Sequence, residues 1–173
     1  AMWVDRIVGM SGLVTLSPVM ALCAIAIIIE DGAPVIFVQQ RARTNGPPFR
    51  LLKLRSMRTA PTSTQITASG DPRITRVGAI LRRYKLDELP QLWNVVTGDL
   101  NLIGPRPEVP RYVDLSDPRW KKVLSVAPGI TDLATLVYRD EEAVLASAAS
   151  PETHYRSVVL PEKLKLNITY LEQ

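Results

Sequence analysis

The feature of this sequence that most constrains its fold is an uncharged, largely apolar run of 23 residues at positions 7–29. About 20 apolar residues in a helix are enough to cross the ~30 Å hydrocarbon core of a bilayer, so the run predicts a membrane-associated helix. Only Asp5 and Arg6 carry charge just ahead of it, and no small-residue cleavage pattern follows. Because a secretory signal peptide needs a basic leader and such a cleavage pattern, we expect the helix to remain part of the protein.

A Ser-Pro pair, Ser17-Pro18, interrupts the middle of this run. Proline lacks an amide hydrogen and clashes with the carbonyl four residues earlier, and a neighbouring serine hydroxyl can bond a backbone carbonyl, so the pair favours a bend. The pattern is compatible with two topologies. One is a kinked helix that spans the bilayer, and the other is a helix that enters, bends at the pair and leaves on the same side.

The charges that follow predict a cytoplasmic location for the rest of the chain. Twenty of the 21 Lys and Arg residues come after the apolar run, and positions 41–85 contain eleven basic residues against one acidic residue, Asp71. The positive-inside tendency then places the body in the cytoplasm, against an anionic leaflet. The single cysteine, Cys23, and the single histidine, His154, exclude a disulfide framework and zinc sites built from several Cys or His residues.

The body of the chain has the pattern of a small α+β domain of short helices and a β-hairpin. Residues 35–38 and 49–55 are rich in strand-forming side chains, and the turn cluster at 45–48 separates them. We therefore expect two parts, a membrane helix at 1–32 and a cytosolic domain with interfacial helices at 33–173.

Two further helices are expected in the middle of the chain. Apolar residues at helical spacing predict one over 74–83 and a second over 86–96, with Asp87 as the N-cap of the second. Prolines on both sides of Arg106 predict a stiff extended loop, and Pro128-Gly129 predicts a turn. Two more helices are expected near the end of the chain, over 141–149 and 162–171.

The adjacent carboxylates Asp87 and Glu88 are the strongest candidates for chemistry. They follow Arg82, Arg83 and Lys85, so an ionised carboxylate here lies in a cationic setting. Such a group can act as a nucleophile or as a ligand of Mg²⁺, which prefers oxygen ligands together with substrate phosphates. The alternative is plain helix capping, because acidic residues are favoured in the first turn of any helix.

Four basic residues are candidates for binding phosphate. Lys53 and Arg55 alternate on one face of the second strand, Arg82 belongs to the helix before the acidic pair, and Arg106 is held between two prolines. Arginine offers a planar fork for bidentate contacts with phosphate oxygens. The alternatives are a basic face resting on acidic lipid headgroups and, for Arg106, a structural turn with its side chain in solvent.

Beyond single residues, the chain carries long motifs in a distinctive order. After the Ser-Pro pair come Pro34-Val-Ile-Phe-Val-Gln-Gln-Arg41, Lys53-Leu-Arg-Ser-Met57, Asp87-Glu-Leu-Pro-Gln-Leu-Trp-Asn-Val95, Gly98-Asp-Leu-Asn-Leu-Ile-Gly-Pro-Arg-Pro107 and Pro128-Gly-Ile-Thr131. In this order they resemble the bacterial sugar transferase family, the monotopic phosphoglycosyl transferases. The resemblance covers residues 3–131.

The resemblance implies an enzyme that moves a sugar-1-phosphate from a UDP-sugar to polyprenyl phosphate, with Mg²⁺, and releases UMP. It implies a re-entrant helix broken at Ser17-Pro18 in the inner leaflet of a bacterial cytoplasmic membrane. It also implies that Asp87 is the nucleophile of a covalent phosphosugar intermediate and a ligand of the metal. Glu88 is then an acid/base or metal-site partner, and Arg82 and Arg106 contact phosphate and the uridine nucleotide.

The chain departs from the family pattern in one informative place. Where many members continue Pro-Gly-Ile-Thr with glycine, this chain has Asp132, in a region that we expect to shape the sugar pocket. The sequence therefore sets neither the sugar nor the oligomeric state. Two rival functions are a membrane-bound UDP-sugar pyrophosphatase, with water as the acceptor, and a basic module that docks on anionic lipid; no nucleic-acid partner is expected.

Overall fold

The computed structural model describes residues 2–43, 46–58 and 66–172. Its contacts divide the chain into two compact units, each interleaved in sequence. The first unit comprises residues 1–40, 49–60 and 72–102, and the second comprises residues 41–48, 61–71 and 103–173. The mixture of helices and small sheets confirms the expected α+β class. The functional division into a membrane helix and a cytosolic domain stays a prediction.

The first unit contains three α-helices and a strand pair. Helix α1 (Met2–Asp31) is followed by strands β1 (Ile36–Arg41) and β2 (Phe49–Leu54), which are hydrogen-bonded to each other. Arg41, the last residue of β1, belongs to the second unit. Helix α2 (Arg76–Arg83), a 3₁₀ turn (Leu86–Glu88) and helix α3 (Gln91–Thr97) complete it. The predicted hairpin and the helix over 74–83 are confirmed, although Asn45 of the predicted turn lies outside the described residues. Gly98, in the left-handed region at φ 86°, ends α3.

Helix α1 is continuous through the Ser-Pro pair. The missing amide of Pro18 deprives the carbonyl of Val14, four residues earlier, of its usual helical donor. The Ser17 hydroxyl donates to that same carbonyl at 2.8 Å. Among the described residues, α1 is the one helix that is long and apolar enough to cross a membrane.

Both halves of α1 pack against the rest of the first unit. Near its start, Gly9 faces α3 so closely that a Cβ on this residue would lie 3.2 Å from the Val95 side chain. Near its end, Cys23 and Ile27 belong to one buried cluster with Leu54 of β2 and Leu81 of α2. The helix is therefore attached along its length to the same compact unit.

The second unit is mostly helical. It contains α4 (Pro118–Val123), β4 (Gly129–Thr131), α5 (Leu133–Val137), α6 (Glu141–Ala146), α7 (Pro151–His154) and α8 (Leu160–Leu171), with a π-helical turn (Tyr155–Val159) between the last two. Strand β4 pairs with β3 (Asn101–Ile103), of which Ile103 belongs to this unit. The two helices expected near the end of the chain are confirmed as α6 and α8, and the loop around Arg106 is extended as expected. The turn predicted at Pro128-Gly129 is wrong, because Gly129 begins β4.

In the described part of the second unit, two buried clusters join its elements. One is built from side chains of the 3₁₀ turn at Pro110–Tyr112, α6 and the π-helical turn, with Tyr112 and Tyr155 in edge-to-face contact at 5.4 Å between ring centroids. The other joins α4 to α8 through Trp120, Val123 and Leu164.

The end of α1 is fixed to the start of α2 by Glu30. Its carboxylate accepts the backbone N–H groups of Arg76 and Val77, both at 2.8 Å, which have no partner within α2. The hydrogen bond from Val77 is the main reason why the pKa of Glu30 is lowered from its ordinary value of 4.5.

We expect Glu30→Gln to lower the thermal stability of the protein at neutral pH. A lowered carboxyl pKa means that the stabilisation is present above the ordinary pKa and is lost as pH falls through the folded-state pKa. Thermal unfolding of both proteins from pH 7 down to pH 3 should therefore show a gap in Tm that closes in acid. An equally large difference in Tm at pH 3 would contradict a stabilising role of the ionised Glu30 carboxylate at the start of α2.

Candidate functional site

Asp87 lies in the 3₁₀ turn between α2 and α3, and it is almost wholly buried. The turn begins after Lys85, which adopts the left-handed conformation at φ 56°. Only 5% of Asp87 is exposed, and its Oδ1 atom has no hydrogen-bond partner. The prediction that Asp87 is an N-cap is wrong, because it lies inside the turn and α3 begins after Pro90 without a side-chain cap. The turn therefore holds a carboxylate oxygen that the fold itself does not use.

The charge of Asp87 is balanced between burial and neighbouring cations. Burial raises the pKa of this carboxyl above its ordinary value, while Lys53, Arg82 and Lys85 act to lower it and Glu88 acts to raise it. A buried, ionised carboxylate without a full set of hydrogen bonds is costly. The unpartnered Oδ1 atom of Asp87 is thus available to attack an electrophile or to bind a cation.

Lys53 and Glu88 form an ion pair beside Asp87. The Lys53 ammonium on β2 lies 3.3 Å from the Glu88 carboxylate, and both side chains are less than one-fifth exposed. The structure therefore brings together three of the predicted site residues, Lys53, Asp87 and Glu88, with Lys53 close enough to act electrostatically on both acids.

Arg82 is held at the end of α2 by the segment that follows β2. Its guanidinium donates to the Ser56 hydroxyl at 3.2 Å and to the Met57 sulfur at 3.6 Å. Helix α2 approaches this segment so closely that a Cβ on Gly78 would lie 1.9 Å from the Ser56 carbonyl oxygen. Glycine at this position is thus what allows Arg82 to reach Ser56, a residue that sequence reasoning did not single out.

Arg55 is engaged with the end of α1. Its Nη2 atom donates to the carbonyls of Asp31 at 2.8 Å and Gly32 at 2.6 Å, and it lies 3.3 Å from the Asp31 carboxylate. These are the contacts of a residue that ties α1 to β2. The role of Arg55 in phosphate binding stays a prediction.

Arg106 belongs to the second unit, where β4 and the residue after it fix its loop. The guanidinium donates to the Ile130 carbonyl at 2.9 Å, and the backbone N–H donates to the Asp132 carboxylate at 2.9 Å. The other oxygen of Asp132 accepts the N–H of Thr135 at 2.6 Å and caps α5. The departure from the family pattern at position 132 therefore has a defined structural role.

Sequence reasoning also missed two buried amides of the motif that contains Asp87. Gln91 is 1% exposed and its amide nitrogen has no hydrogen-bond partner. Asn94 bridges to β2, accepting from the N–H of Leu52 at 3.1 Å and donating to the carbonyl of Arg50 at 2.9 Å. The available signal for Gln91 was its spacing, since it follows Asp87 by four residues in a helical stretch.

Asp87 has the chemistry expected of a ligand for a hard divalent cation. No group of three or more His, Cys, Asp or Glu side chains suited to a metal occurs among residues 2–43, 46–58 and 66–172. Mg²⁺ is commonly held by one or two carboxylates together with substrate phosphates. The free oxygen of Asp87, with Glu88 as the adjacent acid, fits this mode of binding.

Two curated proteins similar to this chain have UDP-sugars and undecaprenyl phosphate in their names. A UDP-N-acetylgalactosamine-undecaprenyl-phosphate N-acetylgalactosaminephosphotransferase of Aeromonas hydrophila is 41% identical over 127 residues, which cover 70% of this chain and 30% of that protein. A UDP-glucose:undecaprenyl-phosphate glucose-1-phosphate transferase of Caulobacter vibrioides is 41% identical over 123 residues, 68% of this chain and 46% of that protein.

A relative of closer length is the exopolysaccharide production protein ExoY of Sinorhizobium fredii, which is 31% identical over 168 residues, 87% of this chain and 74% of that protein. The chain thus spans less than half the length of the Aeromonas and Caulobacter proteins. The family model described as bacterial sugar transferase matches residues 1–173. The chain therefore belongs to the bacterial sugar transferase family.

Proposed function

We propose that this protein is a phosphoglycosyl transferase that moves a sugar-1-phosphate from a UDP-sugar to polyprenyl phosphate and releases UMP. The observation that carries the proposal is the buried Asp87, whose free oxygen lies within the influence of three cations. The names of the relatives, which specify UDP-sugar donors and undecaprenyl phosphate, support the same reaction. The reaction would begin the assembly of a lipid-linked glycan or polysaccharide.

In the first step, an oxygen of Asp87 attacks the phosphorus that carries the sugar. A bond forms between this oxygen and phosphorus, and the bond from that phosphorus to the bridging oxygen breaks. UMP leaves with the electron pair, and Asp87 carries the phosphosugar as an acyl phosphate. This step uses the ionised form of the carboxylate, which Lys53, Arg82 and Lys85 favour, and no proton has to move.

In the second step, a phosphate oxygen of the polyprenyl phosphate attacks the same phosphorus. The bond from phosphorus to Asp87 breaks, which regenerates the carboxylate and yields polyprenyl-diphospho-sugar. Dividing the transfer in this way lets the water-soluble donor leave before the lipid acceptor reacts, so one site can serve both substrates in turn.

The neighbouring residues supply positive charge and orientation. Phosphoryl transfer depends mainly on in-line positioning and on cations that neutralise the phosphate oxygens. Lys53, Arg82 and Lys85 are cations of the first unit that act on Asp87, and we assign Arg106 to the uridine nucleotide. Glu88 keeps Lys53 in place through its ion pair and serves as the acid/base or metal-site partner.

Mg²⁺ is the proposed cofactor, with Asp87 as its protein ligand. When bound, the ion would withdraw negative charge from the diphosphate of the donor. The protein's own part is to present the free carboxylate oxygen, keep water away by burial and hold the cations in place.

We further propose that α1 is a re-entrant, monotopic anchor on the cytoplasmic face of the bacterial inner membrane, resting on anionic lipid. A spanning helix would carry one of its ends away from a body that remains on one side. Here Gly9 near one end and Ile27 near the other both contact the first unit, which supports re-entry. The Ser17-Pro18 pair marks the expected bend. Trp93, which is 50% exposed on α3, suits the membrane interface, where tryptophan is enriched.

We expect Asp87→Asn to lower UMP release more than about a thousand-fold, because it removes the nucleophile. The measurement is UMP release from UDP-N-acetylgalactosamine, UDP-glucose and other UDP-sugars, with Mg²⁺, in the presence and absence of undecaprenyl phosphate. Asp140→Asn, an exposed acid with no side-chain cap bond at the start of α6, is the matched control. Sustained release without the lipid would indicate a hydrolase, and full activity of Asp87→Asn would refute the proposal.

The same substitution should raise the Tm at pH 7. Because burial raises the pKa of Asp87, its contribution to stability is greatest below the ordinary pKa and is lost as pH rises through the folded-state pKa. Asparagine avoids the free-energy cost of the buried charge at neutral pH. The Tm of the variant should therefore be higher than that of the parent at pH 7, and the difference in Tm should be smaller at pH 4. A lower Tm at pH 7 would show that the carboxylate is structural.

Re-entry predicts that both ends of α1 are reached from the cytoplasm alone. In a Cys23→Ser background, Trp3→Cys and Ile29→Cys each place a thiol at an exposed position at one end of the helix. Impermeant maleimide should label both in inverted vesicles and neither in spheroplasts, as it should for Arg139→Cys in the body of the protein. Labelling of either end from the periplasmic side would establish a spanning helix.

A further inference from the structure

We propose that Asp132 and Tyr155 are positioning residues that fix the loop of Arg106, and so set the affinity for the uridine nucleotide. The inference rests on the proposed function, in which Arg106 contacts that nucleotide. We define the Arg106 loop as residues 104–109. All contacts that support the inference lie within the second unit.

On the N-terminal side of the loop, Asp132 acts through both carboxylate oxygens. One accepts the backbone N–H of Arg106 at 2.9 Å, and the other accepts the N–H of Thr135 at 2.6 Å. Asp132 is 4% exposed, so water cannot replace either contact easily. The carboxylate thereby fixes the backbone of Arg106 relative to α5.

The same side of the loop also holds the Arg106 side chain. Its Nη1 atom donates to the carbonyl of Ile130 in β4, two residues before Asp132. Gly129 and Gly104 approach each other so closely that a Cβ on Gly129 would lie 2.2 Å from the Gly104 nitrogen. The start of β4 is therefore pressed against the loop, and the position of Arg106 depends on the segment from 129 to 135.

On the C-terminal side, Glu108 is the centre of a second set of contacts. Its carboxylate lies 3.5 Å from the Arg41 guanidinium, which also donates to the carbonyl of Pro107 at 3.0 Å. The backbone carbonyl of Glu108 accepts the N–H of Ala42 at 2.8 Å. Pro107, the residue directly after Arg106, is thus held by the Arg41 side chain, which Glu108 orients.

Tyr155 completes this second set from the π-helical turn. Its hydroxyl donates a short hydrogen bond to the Glu108 carboxylate, and its ring lies in the buried cluster against Tyr112. Burial, together with the charge of Glu108, raises the pKa of Tyr155 far above its ordinary value of 10.0, so the phenol remains a donor at every working pH. Asp132 and Tyr155 therefore restrain Arg106 from opposite sides of its loop.

A loop held in this way binds its ligand without first having to be ordered, so loss of a restraint should weaken nucleotide binding more than it slows the chemical step. We expect Asp132→Asn to raise both the donor KM and the inhibition constant of UMP about ten-fold, since asparagine can accept only one of the two N–H groups. Tyr155→Phe, which keeps the ring, should raise both about three-fold or more. The kcat of each should stay within about two-fold of the parent.

Tyr138→Phe is the matched control, because Tyr138 also donates a hydrogen bond to a glutamate, Glu162, and that glutamate lies outside the Arg106 loop. The full chain in detergent with undecaprenyl phosphate is used throughout, and its Tm is recorded for each variant. In an Arg106→Ala background, Asp132→Asn should change the UMP inhibition constant by less than about two-fold, because the restraint acts through Arg106. If Asp132→Asn fails to fold, Tyr155→Phe carries the test.

The outcomes separate the inference from the proposed function. If the parent protein releases UMP but the variants keep its KM and UMP inhibition constant, or lose only kcat, the inference is overturned and the proposed function stands. If the parent releases no UMP, the proposed function fails, and calorimetric titration with UMP alone decides the inference. Weaker UMP binding by both variants would support it, whereas equal binding, or no binding by the parent, would overturn it.

Discussion

A carboxylate that is removed from water keeps its charge only where nearby cations compensate for the lost hydration, and the first unit is arranged around this constraint at Asp87. The compensation is incomplete. Lys53 is shared with Glu88, Arg82 is shared with Ser56, and one oxygen of Asp87 has no hydrogen-bond partner. This leaves the carboxylate ionisable but poorly satisfied, which is the state that a nucleophile needs. The buried Asp87 carboxylate therefore lowers the stability of the fold at the residue for which we propose chemistry.

The apolar helix takes part in this arrangement as well as in the proposed anchoring. Its last residues are tied to β2 by Arg55 and to α2 by Glu30, the two elements that carry Lys53 and Arg82. A shift of the end of α1 would therefore displace the elements that carry Lys53 and Arg82. The proposed membrane anchor and the proposed catalytic residues thus belong to one compact unit, as the proposed reaction with a lipid acceptor would require.

Many of the secondary-structure elements and the central site residue could be predicted from the sequence. Contacts between residues far apart in the chain could not. Local signals, namely strand-forming runs and the spacing of apolar residues, correctly predicted the hairpin and α2. The family motifs pointed to Asp87 before any geometry was known. Local rules failed at Asp87 itself, where a capping pattern proved to be a buried turn. The contact of Arg55 with Asp31 joins residues 24 apart, and that of Arg106 with Asp132 joins residues 26 apart, so neither is readable from spacing.

The side chain of Asn94 has a consequence for the free edge of the small sheet. Its amide accepts the N–H of Leu52 and donates to the carbonyl of Arg50, which are the two groups that a neighbouring strand would use. A single carboxamide therefore imitates the peptide of a missing strand. An unpaired strand edge is a template on which a second chain can add and begin an aggregate. At this point Asn94 occupies that template, so the same motif that includes the proposed nucleophile also protects the protein from edge-to-edge association.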